Sequence, residues 1–219
     1  MDHAPRMHSY EPSQGHGLRH DPFNAIIGPR PIGWISSMSA EGKLNLAPYS
    51  FFNAFFYEPP IIGFSSVSLK DSARNAEATR EFVWNLATRD IAERMNITSA
   101  PLDYGESEFD AAGLTPVDSL RVAVPRVGEA RAAMECKVID VIQLRSARGE
   151  PADGYLVLGE VVAVHIDETL IVDGVYQTAL AHPILRAGRA GDYFEITQDR
   201  MFEMKRPSGA VVPPGSGSR

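Results

Sequence analysis

One cysteine, Cys136, stands among 219 residues, so no internal disulfide can form and no CxxC redox or zinc-knuckle pair exists within the chain. Its neighbours alternate in polarity as in a strand, and it reads as a small buried residue rather than a catalytic thiol. No apolar run reaches the ~18–20 residues of a membrane helix, and the N-terminus lacks a charged-then-apolar leader pattern. The expected location is therefore cytoplasmic, with no membrane partner. Basic residues are also scarce. Lys and Arg number 21 against 28 Asp and Glu, and a net charge of −7 argues against a nucleic-acid partner while leaving room for a local phosphate pocket.

Catalytic signatures are missing as well. There is no GxGxxG after a strand, no GxxxxGK[ST] and no GxSxG, which removes the usual dinucleotide, P-loop and nucleophile-elbow readings. His165 falls in an alternating stretch and reads as a satisfied sheet histidine. His182, before Pro183 in a turn-like segment, is better placed to reach a pocket. His3, His8, His16 and His20 lie in an N-terminal stretch without period; their spacing suits no rigid metal face, and no metal site is expected.

Strand signals dominate what is present. Ile32, Trp34 and Met38 alternate with Gly33, Ser37 and Ser39, and a turn at Ala40–Lys43 leads into a second strand. Further runs are Ile61–Ser66, Phe82–Leu86, 132–144 and 155–167. In 132–144, Met134, Cys136, Val138, Ile142 and Leu144 oppose a polar face of Glu135, Lys137 and Gln143. The run 155–167 is apolar on both faces and is expected to be covered on both. Helices are expected over Asp71–Arg80, Arg89–Asn96 and Glu106–Ala112, the first capped by residue 71 or 72. Many strands, few helices and no βαβ alternation predict a mostly β fold, a β-barrel with helical decoration. Residues 1–20 read as a flexible arm, 21–206 as one domain and 207–219 as a disordered tail.

Two segments carry the expected chemistry. Ser65, Ser66, Lys70, Ser72 and Asn75 surround a helix start, where backbone N–H groups, hydroxyls and a lysine suit a compact dianion. The same residues also fit an ordinary capped helix with solvated charges. Ser50-Phe51-Phe52-Asn53-Ala54-Phe55-Phe56-Tyr57 is either core or an aromatic cover for a flat ring with polar side chains at its edge. A ring plus a phosphate is what flavin mononucleotide (FMN) presents, and a redox cofactor needs no acid, base or nucleophile from the protein.

The segments PRPIGWISS, NLAPYSFFNAFFYEPP, KDSARNAEATREFVWNL and AERMNITSAPLDYGESEFDAAGL, in this order, resemble the flavin-reductase-like FMN-binding split-barrel family. That family includes reductase components of two-component monooxygenases and flavoredoxins. The resemblance runs from about Asn24 to about Arg206, more loosely through DGVYQTALAHPILRAGRAGDYF. It implies a six-stranded antiparallel split barrel, a homodimer, and hydride transfer from NADH or NADPH to FMN, with a possible partner monooxygenase. The alternatives are an FMN-binding electron carrier and a scaffold without flavin. By the same resemblance Trp34, Ser36, Ser37, Pro48, Tyr49, Ser50, Phe51, Phe52 and Asn53 line the ring and ribityl chain, and Ser65, Ser66, Lys70, Ser72 and Asn75 hold the phosphate. His182 and Arg189 are the candidates for positioning the nicotinamide. Two departures stand out: Ser72 replaces a usual threonine, and Arg186-Ala187-Gly188-Arg189-Ala190-Gly191 replaces an Arg-Leu-Gly-Gly run.

Overall fold

The computed structural model describes residues 5–102 and 107–206. His3, Glu106 and the expected tail 207–219 lie outside the described residues. In chain order the strands are β1 (Arg30–Pro31), β2 (Gly33–Met38), β3 (Leu44–Tyr49), β4 (Phe52–Phe56), β5 (Ile61–Val67), β6 (Glu81–Asn85) and β7 (Pro116–Val117). They continue with β8 (Arg126–Val127), β9 (Ala132–Arg145), β10 (Pro151–Ile166), β11 (Ile171–Val172), β12 (Val175–Tyr176), β13 (Ile184–Arg186) and β14 (Tyr193–Glu195). The α-helices are α1 (Phe23–Ile26), α2 (Asp71–Thr79), α3 (Ala92–Ile97) and α4 (Glu108–Ala111).

Seven strands form one antiparallel sheet in the order β3-β2-β6-β9-β10-β5-β4, curled into a half-barrel, so the mostly β, split-barrel expectation holds. The resemblance implied six strands. The difference in reading is plain at β4: the aromatic stretch after Tyr49 turns at Ser50-Phe51 and pairs back on β5 as an edge strand of its own. A three-stranded sheet, β1-β13-β14, brings the late segment beside Arg30. Between β2 and β3, Gly42 takes φ +82°, a left-handed turn position where a Cβ would be strained. Among the described residues no helix is long and apolar enough to cross a membrane.

Alternation puts a core on each face of the sheet. Ile32, Trp34 and Leu46 pack with Ile91, Met95, Phe109 and Val127 on one side. Ile35, Phe64, Phe82, Cys136 and Val157 pack with Ala73 and Ala76 of α2 on the other, Phe64 and Phe82 meeting edge to face at 5.5 Å. Small residues on α2 let the helix lie close on the sheet. Burial pushes the Cys136 thiol up, consistent with an inert core residue. The N-cap of α2 is Lys70, with no side-chain cap bond, not residue 71 or 72; Asp71 sits in the first turn and pairs with Arg74 at 3.0 Å.

Two further expectations are corrected on the long hairpin. One face of β10 is open: Val162, Val164 and Ile166 are exposed, because no described element of this chain crosses over them. Glu135 is not on a solvated face but fully buried. The segment after β7 crosses above it and donates the N–H groups of Leu120, Arg121 and Val122 to its carboxylate at 2.7, 2.6 and 3.2 Å, while His165 Nε2 lies at 2.6 Å. Burial pushes this carboxyl up, but the Leu120 amide, His165 and the Arg121 amide outweigh it and hold it below the ordinary glutamate range. His165 is thus a satisfied sheet histidine.

Because the folded pKa is depressed, this group's contribution to stability is present above the unfolded value, about 4.3, and is lost as pH falls through the folded value. Glu135→Gln places an NH2 against a backbone N–H whichever way the amide is turned. It is expected to cost about 2–3 kcal/mol at neutral pH and to flatten the acid limb of the melting temperature measured from pH 6 to pH 2.

Candidate functional site

A groove of about 480 Å³ opens where the β4–β5 edge and the tip of the β9–β10 hairpin meet the entry to β1. Its walls are apolar: Ile27, Pro29 and Pro31 on one side, Phe51, Phe52 and Phe55 on another, Leu144 and Leu156 from the hairpin. Its polar side chains are Arg30, Asn53 and Ser65. The volume lies within the ~300–1,000 Å³ usual for small-molecule sites, and an apolar cleft with few polar groups is their usual character.

Arg30 holds this region together. Its Nε donates to the Ser50 carbonyl at 3.0 Å, its Nη1 to the Asn24 carbonyl and its Nη2 to the Ala187 carbonyl at 3.3 Å. The guanidinium also lies 5.5 Å from the Phe51 ring centre. One nearly buried cation thus ties the N-terminal segment, the β3–β4 turn and the loop after β13. Burial, with Arg186 nearby, draws its pKa down from the ordinary arginine value.

Phe52 stacks on Trp84 at 5.7 Å with the rings 3° from parallel, and the Trp84 indole N–H donates to the Ile32 carbonyl at 2.9 Å. This placement requires Gly33: a Cβ there would stand 2.9 Å from three atoms of Phe52.

Of the residues expected in the site, Phe51, Phe52, Asn53 and Ser65 line the groove, and Ser50 contributes its carbonyl to Arg30. A second group is gathered beneath the sheet, at the start of α2. Asn45 Nδ2 donates to Ser37 Oγ at 3.0 Å and Ser72 Oγ at 2.8 Å, and Asn75 Nδ2 donates to Ser37 Oγ at 3.2 Å. The Tyr49 phenol is raised by burial, against the pull of the neighbouring Ser72 and Ser66 hydroxyls. The Ser66 hydroxyl beside it is buried and, among the described residues, meets no partner at normal hydrogen-bond geometry. These side chains are spent on one another. What is exposed there is Lys70, with Ser65 half-buried; the amides of Asp71, Ser72 and Ala73 precede the first helical bond, from Arg74 N–H to the Lys70 carbonyl.

Other expected residues stand apart. Trp34 and Ser36 point to the opposite face of β2: Trp34 Nε1 donates to Thr98 Oγ1, and Ser36 Oγ donates to the Pro125 carbonyl at 2.7 Å. Pro48 pairs opposite Trp34. His182 Nδ1 lies 2.6 Å from Glu195 Oε1, and exposed Arg189 is 4.0 Å from Asp192. Neither lines the groove. The wall residues that the sequence reading did not place in the site are Ile27, Arg30 and its flanking prolines, Leu144 and Leu156. An arginine between two prolines just ahead of a strand was the available signal.

The groove therefore depends on a contact with no slack. Gly33→Ala is expected to push Phe52 off Trp84 and to cost about 1–3 kcal/mol, read by thermal melting together with loss of near-ultraviolet circular dichroism from the stacked pair.

Comparison with known proteins agrees with this architecture. Residues 28–180 match the family described as flavin reductase like domain. An uncharacterized protein of Halalkalibacterium halodurans is 37% identical over 191 residues, covering 81% of this chain and 91% of the relative. The crystal structure of nitrilotriacetate monooxygenase component B from Bacillus cereus superposes with a TM-score of 0.82 at 33% identity, over 92% of this chain and 100% of that one. The 2-nitrobenzoate 2-nitroreductase of Pseudomonas fluorescens follows at a TM-score of 0.72 and 30% identity, covering 89% of this chain and 92% of the neighbour. A sheet curled around this groove, with a family match over most of its strands, makes the chain a member of the flavin reductase like family.

Proposed function

We propose that this chain is an NAD(P)H-dependent flavin reductase that uses FMN and hands reduced flavin to a partner monooxygenase. The observation that carries the reading is the groove itself. Its aromatic and proline walls suit a flat ring, Arg30 and Asn53 offer polar contacts at the ring's edge, and Ser65 stands toward the phosphate. None of these three is an acid or base near neutral pH, as expected where a cofactor carries the reaction. Bound FMN would supply the redox chemistry, taking a hydride from a reduced nicotinamide.

In this reading Phe51 and Phe52 flank the ring and keep water from it. Lys70, Ser65 and the amides at the start of α2 receive the phosphate, supported by the exposure of Lys70 and by amides that precede the first helical hydrogen bond. The buried Ser37-Asn45-Ser72-Asn75 network acts indirectly, by fixing where α2 begins. His182 and Arg189 position the nicotinamide from the late segment that Arg30 tethers at Ala187. The exposed apolar residues Ile142, Val162, Val164 and Ile166 support a homodimer, since a chain of this kind gains most by covering such a face with its own copy. The name of the Bacillus cereus neighbour, a monooxygenase component, supports the oxygenase partner.

The deciding experiment is anaerobic. FMN added to the purified protein should bind, and its absorption near 450 nm should bleach within seconds of adding NADH or NADPH, on the order of the usual enzymatic turnover of ~1–1,000 per second. Flavin that binds but stays oxidised with both nicotinamides would identify an electron carrier instead. The phosphate arm has its own test. Lys70→Ala is expected to weaken FMN about ten- to a hundredfold and riboflavin hardly at all, measured by fluorescence titration of both flavins. Equal losses would place Lys70 away from the phosphate.

A further inference from the structure

The small sheet beside the groove carries one charged row. Arg30 on β1 lies opposite Arg186 on β13, and Arg186 lies opposite Tyr193 on β14. Like charges directly opposite one another on paired strands repel, so each needs an answer. Arg30 finds its own in three carbonyls and the Phe51 ring. Arg186 does not. It donates Nη2 to the Ala190 carbonyl and holds its guanidinium 4.7 Å from the Tyr193 ring centre. Among the described residues no carboxylate forms an ion pair with it. Glu195, two residues along β14, is engaged by His182 at 2.6 Å, and Asp192 lies 4.0 Å from Arg189.

The backbone around this cation is fixed. The Ala187 carbonyl receives Arg30 Nη2, and the Ala187 N–H donates to the Asp192 carbonyl at 3.0 Å. Gly188 is pressed so closely on α1 that a Cβ there would stand 2.4 Å from the Ala25 Cβ. Arg186 is therefore a half-buried guanidinium plane set on an aromatic ring, with Nε and Nη1 left for a ligand. Its direction also matters. The side chain leans from β13 over β14, the outer strand, and so away from β1 and the groove. A cation there meets the far end of an elongated ligand, not the reacting ring.

We infer that Arg186 receives the 2′-phosphate of NADPH, and that this chain takes NADPH in preference to NADH. A phosphate monoester carries about −1.5 to −2 charge near pH 7, and a guanidinium fork matches its oxygens through parallel N–H···O bonds. NADH has a hydroxyl in that place and leaves the cation unanswered. Exposed Arg189 in the same loop adds to the local positive field. The inference rests on the reductase reading, because the phosphate arrives on a dinucleotide whose other end lies at the flavin. None of these residues belongs to the β9–β10 face assigned above to a second copy.

Calorimetric titration of the full chain reads the subsite without turnover. Adenosine 2′,5′-bisphosphate and 5′-AMP differ only in the 2′-phosphate, and the bisphosphate is expected to bind at least about tenfold tighter. Arg186→Met should erase most of that ratio, and Arg186→Lys, which keeps the charge but not the fork, should leave an intermediate one. Melting curves show that each variant folds, and the wild-type ratio stands without them. In anaerobic FMN reduction, kcat/KM is expected to be at least about tenfold higher for NADPH than for NADH. Equal binding of the two nucleotides, or a ratio unmoved by both substitutions, would overturn the inference. So would an Arg186→Met protein that loses affinity for FMN but not for riboflavin, which would give the cation to the flavin's phosphate. Flavin reduced equally well by both nicotinamides would overturn it and leave the reductase reading standing, whereas flavin reduced by neither would remove both.

Discussion

The irregular half of this molecule rests on one buried carboxylate. Glu135 sits inside the sheet on β9 and receives three successive amides from the segment that crosses above it. Without that acceptor the crossing would bring three backbone donors into the interior with nothing to meet them. With it, residues 118–127 lie in one place, and β7 and β8 follow. Asn85 adds the second anchor by accepting from Val127, so β8 is held in place by buried polar contacts rather than by apolar packing alone.

The aromatic groove has a different architect. Three segments far apart in sequence converge on the Arg30 guanidinium through their carbonyls. Carbonyl oxygens are fixed by the backbone, so a cation that binds three of them sets backbone positions, not merely side chains. Phe52 is then fixed from the other direction by Trp84 and the missing Cβ of Gly33. The groove is shaped before any ligand arrives, and a preformed site avoids much of the ordering cost of binding.

Most strands were legible because alternation is a local signal: β2, β3, β5, β6, β9 and β10 all appear where the sequence pattern puts them. Helix α2 was legible from its alanines and polar start, its cap less so, since Lys70 caps by backbone geometry and carries no cap-forming side chain. What escaped was set by distant partners. Glu135 reads as a surface residue until residues 120–122 arrive overhead, and Arg30 reads as a charged residue near a turn until three carbonyls surround it. Ser36 and Ser37 are neighbours in sequence, but a strand sends them to opposite faces, so one lies with Asn45 and the other with Pro125. Phe51, Phe52, Asn53 and Ser65 line the groove, yet composition alone left them open between core and site.

The strand order carries a consequence for how the chain is made. β2 and β6 belong to one half of the sheet and β5 and β4 to the other, and what joins the halves is the hairpin β9–β10, inserted between β6 and β5. The hairpin ends at Ile166, some eighty residues after β6 has left the ribosome. Until then, β6 and β5 each present an unpaired edge and half a core. Closure is therefore a late, long-range event, the slow kind of step in which exposed strand edges meet other chains if synthesis stalls. A ribosome pausing between residues 85 and 132 would leave this protein in its most aggregation-prone form, and a chaperone that shields bare strand edges would serve it best over that interval.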